Sequence, residues 1–157
     1  MTERPSSRSF FTRRSLISLS LTAACANDAV TEEEKEYALK ILRSFGKVEI
    51  VAENMIDAVV AVSGSAPAYV FMFIEAMADA AVSEGMPRKQ AYEFAAQAVY
   101  GSAKMVLDTG KHPGELKDMV CSPAGTTIEA VRVLEEKGLR SAVIEAMKVC
   151  ADKSRKM

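Results

Sequence analysis

The chain has 157 residues, of which 49% are apolar and 26% charged, and it contains no Trp. That length fits one domain, or one domain plus a fragment, and the apolar share can fill a core. With 20 basic and 21 acidic side chains the net charge is −1, which gives no electrostatic reason to expect a nucleic-acid partner.

In chain order, the start stands apart. Residues 1–24 carry Arg4, Arg8, Arg13 and Arg14, several Ser and a single acid, Glu3. Such a composition resembles an organellar presequence, and Arg13-Arg14 before an apolar stretch resembles a weak twin-Arg export signal. An unstructured or wrongly assigned start is the third reading and the one favoured. It makes the expected compartment cytoplasmic, with an organelle as the alternative. Residues 1–15 are expected to lack structure, and 16–25 (LISLSLTAAC) suit a strand. Asn27-Asp28 is a turn signal. Thr31 followed by Glu32, Glu33 and Glu34 predicts a capped helix start. That helix should reach about Phe45 and stop at Gly46, with Tyr37, Leu39, Ile41, Leu42 and Phe45 as its apolar stripe. Residues 47–51 alternate like a strand. A strand-helix-strand unit wants parallel pairing in a larger sheet, yet no further strand is predicted.

From Asp57 onward the pattern is helical. Residues 57–62 form a short apolar helix or turn, and SGSAP at 63–67 breaks it. A helix over 67–84 opens at Pro67 and ends at Gly85. It is apolar around most of its circumference, so it should be buried on nearly all sides. Pro87 opens the next helix, which ends at Gly110. Its Ala91, Ala95, Ala96, Ala98, Gly101, Ser102 and Ala103 allow close helix approach. A short helix follows from Pro113 to about Val120, CSPAG interrupts, and helices over 126–137 and 139–153 complete the chain. Short loops make neighbouring helices antiparallel. The predicted fold is mainly α: a helical domain over 57–157, a remnant strand-helix-strand of a doubly wound α/β domain over 22–56, and an unassigned start over 1–21. A nearly all-apolar helix has too few neighbours within so small a chain. A second copy is the simplest cover, which predicts an intertwined homodimer or a higher oligomer.

Cys25, Cys121 and Cys150 are widely spaced, and with His112 as the only histidine they form no zinc pattern. Free thiols are the expected state, a disulfide the alternative. A role for His112 in a triad is conceivable, but beside Pro113 it reads rather as a helix-opening residue. No uninterrupted run of about 18 apolar residues occurs, so no membrane-spanning helix is expected.

Two loops carry candidate chemistry. In CSPAGTT (121–127) a helix ends, Pro123 stiffens the chain, Gly125 permits close approach, and a new helix starts at Thr126-Thr127. Free N–H groups, the positive helix end and the hydroxyls of Ser122, Thr126 and Thr127 could hold a small anion such as a carboxylate. An ordinary Ser/Thr cap with a turn Gly is the alternative. SGSAP (63–67) has the same grammar and the same alternative. Two such loops in one small domain point to a shared cleft.

The stretch HPGELKDMVCSPAGTTIEAVRVLEEKG (112–138) resembles pyrroline-5-carboxylate reductases. The family pattern falls here on Pro113, Leu116, Ser122, Pro123, Ala124, Gly125, Thr127, Ala130, Val131, Leu134 and Glu135. SGSAPAY (63–69), GMPRKQA (85–91) and AAQAVYGSAKMVLDTGKHP (95–113) are similar to the family too. FGKV (45–48) and TAACAND (22–28) extend the likeness over about 22–154. The resemblance implies an oxidoreductase of proline biosynthesis that reduces the C=N bond of Δ1-pyrroline-5-carboxylate to L-proline with NADPH or NADH. It implies a dimer through the C-terminal helices and a substrate carboxylate held at Ser122, Gly125, Thr126 and Thr127. The Thr127 hydroxyl is then the catalytic candidate, beside the ring nitrogen that gains a proton. Ser63, Gly64 and Ser65 would face the nicotinamide. No metal is implied.

Ala66 and Ala124 stand where the family commonly has Gly, and a methyl there could crowd the backbone or be tolerated at negative φ. The family's G-x-G-x-x-G turn, which seats the cofactor pyrophosphate, is not found in these residues. The expectation is therefore a truncated reductase that does not turn over alone, with a non-catalytic dimerisation partner or regulator of a full-length reductase as the alternative.

Overall fold

The computed structural model describes residues 9–10, 20–27, 29–44 and 46–157. Of these, the residues up to 67 together with 146–157 form one compact unit, and 68–145 form a second. The chain is mainly α, as its composition predicts.

The first unit holds a sheet of β1 (Ser9–Phe10), β2 (Ser20–Ala24) and β3 (Gly46–Ile50), in that order. β2 and β3 are parallel, from Ser20 opposite Gly46 to Ala24 opposite Ile50. This is the pairing a strand-helix-strand unit demands. β1 is antiparallel to β2, with Ser9 opposite Ala24 and Phe10 opposite Ala23. It corrects the expectation that nothing before residue 16 is structured. The free edge of β2 presents unpaired N–H and C=O groups, and a nearby extended segment satisfies them. The Arg-rich composition at 1–8 and 11–19 lies outside the described residues.

α1 (Glu32–Arg43) starts as predicted. The Glu34 N–H donates to the Thr31 hydroxyl at 3.3 Å, and the Glu34 carboxylate accepts from the Thr31 N–H at 2.9 Å. Two orphan donors are thus satisfied reciprocally. Its apolar stripe is only partly used. Leu39 is buried and Leu42 half-buried, but Tyr37 and Ile41 are exposed. A sheet of three short strands covers too little of the helix face; Phe45 lies outside the described residues.

After a 3-10 turn at Glu53–Met55 come α2 (Ile56–Val59) and a π-turn at Val60–Gly64. The Ser65 N–H reaches back to the Val60 carbonyl at 2.8 Å. The predicted break at SGSAP is therefore not found: the segment widens the helix by one residue, and α3 (Ala66–Ser83) follows directly. The expectation of no membrane-spanning helix rested on the absence of a long apolar run, a count that the continuous helix here changes. Glu53–Ser83 is a 31-residue helical stretch, long and apolar enough on length and composition alone. Counting apolar runs stops at Ser63-Gly64-Ser65, whereas the backbone does not.

In the second unit α3 packs on α4 (Arg88–Thr109), where Ala78 meets Ala91 and Ala95. Three Ala at the crossing let the helices approach closely, and Ile74, Met77 and Met86 surround them. α4 ends at Gly110, whose φ of 64° closes the helix with a bond to the Val106 carbonyl. α5 (Pro113–Val120) and α6 (Thr126–Glu136) follow, and then α7 (Leu139–Arg155), whose residues from 146 on belong to the first unit. The predicted burial of α3 on nearly all sides is not met within one chain: Val70, Met72 and Phe73 are exposed.

Candidate functional site

The turn at 121–125 is built by two backbone donors. The Cys121 N–H donates to the Lys117 and Asp118 carbonyls at 3.2 and 3.1 Å, which closes α5. The Gly125 N–H donates to the Ser122 carbonyl at 3.0 Å, which folds Pro123 and Ala124 outward. Ala124 has φ 56°, the only non-Gly residue at positive φ among the described residues. The favourable case for its methyl, a negative φ, is not realised. Ala66 is simply the first residue of α3.

α6 then opens at Gly125, and no side chain caps it. The contrast with α1 is chemical. Thr31 occupies an N–H of α1, whereas the hydroxyls of Thr126 and Thr127 lie inside the first turn of α6 and leave its N–H groups unclaimed by side chains. The ordinary-cap alternative does not describe this turn. Ser122 and Thr126 are exposed, while Gly125 and Thr127 are half-buried. The acid in that first turn, Glu129, is held by Arg132 at 3.1 Å. A dipole end with free donors and a paired acid favours an anion. α4 and α5, which ends at this turn, flank a half-open cleft of about 590 Å³ lined by Met105, Val106, Leu116, Lys117 and Val120, and none of the predicted site residues lines it. Lys117 is paired with Asp118, which raises its pKa and keeps it charged.

Ser63, Gly64 and Ser65 lie in the other unit, on and just after the π-turn. Ser63 and Ser65 are half-buried and Gly64 exposed. A Cβ on Gly64 would meet only Val60 Cγ1, at 4.0 Å, so its backbone faces open space. The Ser65 hydroxyl accepts from the Cys150 thiol at 3.2 Å, and Ser154 donates to Asp57 at 2.6 Å. Sequence reasoning missed Cys150, Ser154 and Asp57 here. Separations of 85 and 97 residues leave no local signal.

His112 caps α5, its Nδ1 accepting from the Gly114 N–H at 3.0 Å. Cys25, Cys121 and Cys150 are free thiols. The Cys25 thiol donates to the Glu53 carboxylate at 3.1 Å, and this bond, with lesser help from desolvation, pushes its pKa up.

Residues 53–157 match the family model of pyrroline-5-carboxylate reductase dimerisation. The chain is 68% identical over 142 residues to the pyrroline-5-carboxylate reductase of Escherichia coli, covering 90% of this chain and 53% of that one. A 1-pyrroline-5-carboxylate reductase structure from Streptococcus pyogenes superposes with a TM-score of 0.91 at 34% identity, over 96% of this chain and 58% of that one. An NADP-bound pyrroline carboxylate reductase of Plasmodium falciparum gives 0.88 at 30% identity, over 94% and 60%. The chain spans about half the length of the curated relatives it matches. The uncapped α6 turn thus sits within a stretch shared with these proteins, and the chain belongs to the pyrroline-5-carboxylate reductase family through its dimerisation domain.

Proposed function

We propose that this chain is the dimer-forming, acid-binding half of a pyrroline-5-carboxylate reductase, which reduces Δ1-pyrroline-5-carboxylate to L-proline when a nucleotide-binding half is supplied. The observation that carries this reading is the α6 N-terminus at Gly125, which no side chain caps. The substrate carboxylate binds the N–H groups of Thr126 and Thr127 there, with the Ser122 hydroxyl beside them. The Thr127 hydroxyl hydrogen-bonds the ring nitrogen and orients the C=N bond. Gly64, flanked by Ser63 and Ser65, offers an open backbone to a nicotinamide ring.

NADPH or NADH supplies a hydride when bound. These 157 residues fit only one end of that cofactor. Gly64 is open enough for a ring, but no glycine-rich turn is present for the pyrophosphate. Orienting a hydride donor against an imine is worth about 7–11 kcal/mol of barrier. The 157-residue chain with NADPH and pyrroline-5-carboxylate is therefore expected to show no turnover, and family-like rates would refute that part of the proposal.

The binding half is tested separately, by titrating the isotope-labelled chain with L-proline, the product that carries the same carboxylate. Amide resonances of Thr126, Thr127 and Ile128 should shift saturably. If millimolar L-proline leaves them in place, the site is wrongly assigned. The exposed Met72, Phe73 and Phe94 favour one second reading, a non-catalytic partner that pairs with a full-length reductase. Native mass spectrometry of the two co-expressed chains decides it: absence of mixed dimers rejects it.

A further inference from the structure

The π-turn at Val60–Gly64 is not favoured by its own sequence. Runs with i→i−5 bonding are rare, and a single such turn persists where surrounding structure holds it. Two side chains of α7 grip this one from either end. The Cys150 thiol donates to the Ser65 hydroxyl at 3.2 Å, just after the turn. The Ser154 hydroxyl donates to the Asp57 carboxylate at 2.6 Å, just before it. All four residues are half-buried, and Ala61 within the turn and Ala151 on α7 are buried.

Helix geometry shows why the extra residue is needed. Cys150 and Ser154 are i, i+4 neighbours, so one face of α7 presents both. Asp57 and Ser65 are eight apart. In an unbroken α-helix, at about 100° per residue, they would diverge by about 80°. The one-residue widening takes back about 100°, which leaves the two within about 20° of a common line. Only with the π-turn do Asp57 and Ser65 face the same strip of α7.

We infer that Cys150 and Ser154 are positioning residues: they clasp the π-turn and thereby set the backbone of Ser63, Gly64 and Ser65. The functional consequence rests on the reading that this backbone faces the nicotinamide; the clasp itself does not. Without it the segment relaxes by one residue toward regular α-helix, and the Ser65 N–H exchanges its partner at Val60 for Ala61.

The test is amide hydrogen exchange on the full 157-residue chain, comparing Cys150→Ala, Cys150→Ser and Ser154→Ala. Exchange at Ser65 should accelerate on the order of tenfold in both Ala variants, the loss of one net hydrogen bond. Cys150→Ser keeps a donor and should restore the slow rate. The Ala78 amide serves as the control and should not change. Ser65→Ala approaches the same bond from the other side, should the α7 variants fold poorly, and should free the amide at position 65 alike. An unchanged Ser65 rate in the Ala variants overturns the inference, and so does equal acceleration at Ala78, which marks global destabilisation. Because the readout involves no ligand, failure of the L-proline titration leaves this result standing, and the reverse.

Discussion

Gly125 and Ser122 are pressed together: the Gly125 N–H donates to the Ser122 carbonyl at 3.0 Å, and a Cβ on Gly125 would overlap the Ser122 hydroxyl and lie 3.1 Å from its carbonyl oxygen. Gly125 has φ −80°, so what requires glycine here is space and not backbone freedom. Gly125→Ala should cost about 1–3 kcal/mol, as overpacking does, and should abolish the L-proline shifts at Thr126 and Thr127. Adding Ser122→Ala removes the hydroxyl overlap but not the carbonyl contact, so it should restore only part of the lost stability. Denaturant unfolding of the single and double variants measures both. Full wild-type stability in Gly125→Ala would mean that the turn opens at no cost.

Ala124 presents the opposite case. At φ 56° its Cβ opposes the left-handed backbone, a cost of about 1–2 kcal/mol. Glycine there gains that back but makes the unfolded chain freer by roughly 0.5–1 kcal/mol. Ala124→Gly is expected to be net stabilising by about 0.5 kcal/mol, read as a higher urea midpoint at unchanged slope. A lower midpoint would show that the methyl makes a favourable contact in the assembled protein.

His112 should matter through Nδ1 rather than through catalysis. Replacing it with Ala removes the acceptor for the Gly114 N–H and should cost about 1 kcal/mol, whereas His112→Asn should retain most of the cap. α5 ends where the 121–125 turn begins, so fraying at its start loosens one wall of the candidate site. Thermal melts of the two variants distinguish them; equal losses would assign the effect to ring packing instead.

Which parts of this were legible in the sequence follows from how local the causes are. Thr31 and Glu34 are three residues apart and make a capping box that any reader of TEEE expects. Gly85, Gly110 and Gly138 all take positive φ at or just past helix ends, where an L side chain is strained. The Ser122–Thr127 turn was visible for the same reason, since its helix stop, proline, glycine and helix start fall within six residues. The π-turn was not. Its determinant is a pair of α7 side chains far along the chain, so SGSAP read as a break. β1 was missed because a pairing edge, not a propensity, makes Ser9–Phe10 a strand. The exposed Tyr37 was misread as core because amphipathic spacing says which face is apolar, not how much of it is covered.

The capping box also predicts a pH effect. The Thr31 N–H, and after it the Thr31 hydroxyl, hold the Glu34 carboxyl below its ordinary pKa in the folded chain. A lowered folded-state pKa stabilises fully above the ordinary Glu range, and that stabilisation is lost as the pH falls through the lowered value. The start of α1 should therefore fray selectively in acid, seen as loss of the Thr31 and Glu34 amide signals before those of the α4 interior. Glu34→Gln should flatten that dependence. If the wild-type and Gln chains lose these signals at the same pH, another acid governs the fraying.

Met72 on α3 and Phe94 on α4 are 69% and 67% exposed, and Leu107 is 80% exposed. Large apolar side chains left this open on packed helices are what a second copy would cover. In a two-fold dimer each substitution counts twice, because the same patch serves both subunits. Burying a Phe is worth about 1.5–3 kcal/mol, so Phe94→Ser at the interface should weaken dimerisation by roughly two to four orders of magnitude. Met72→Ser should act in the same direction. Sedimentation equilibrium of the wild-type and both variants reads the shift directly. The α3–α4 packing at Ala78, Ala91 and Ala95 involves neither residue, so helix content should be retained while the dimer dissociates. A wild-type chain that stays monomeric at high concentration would instead require that these side chains be covered by a different polypeptide.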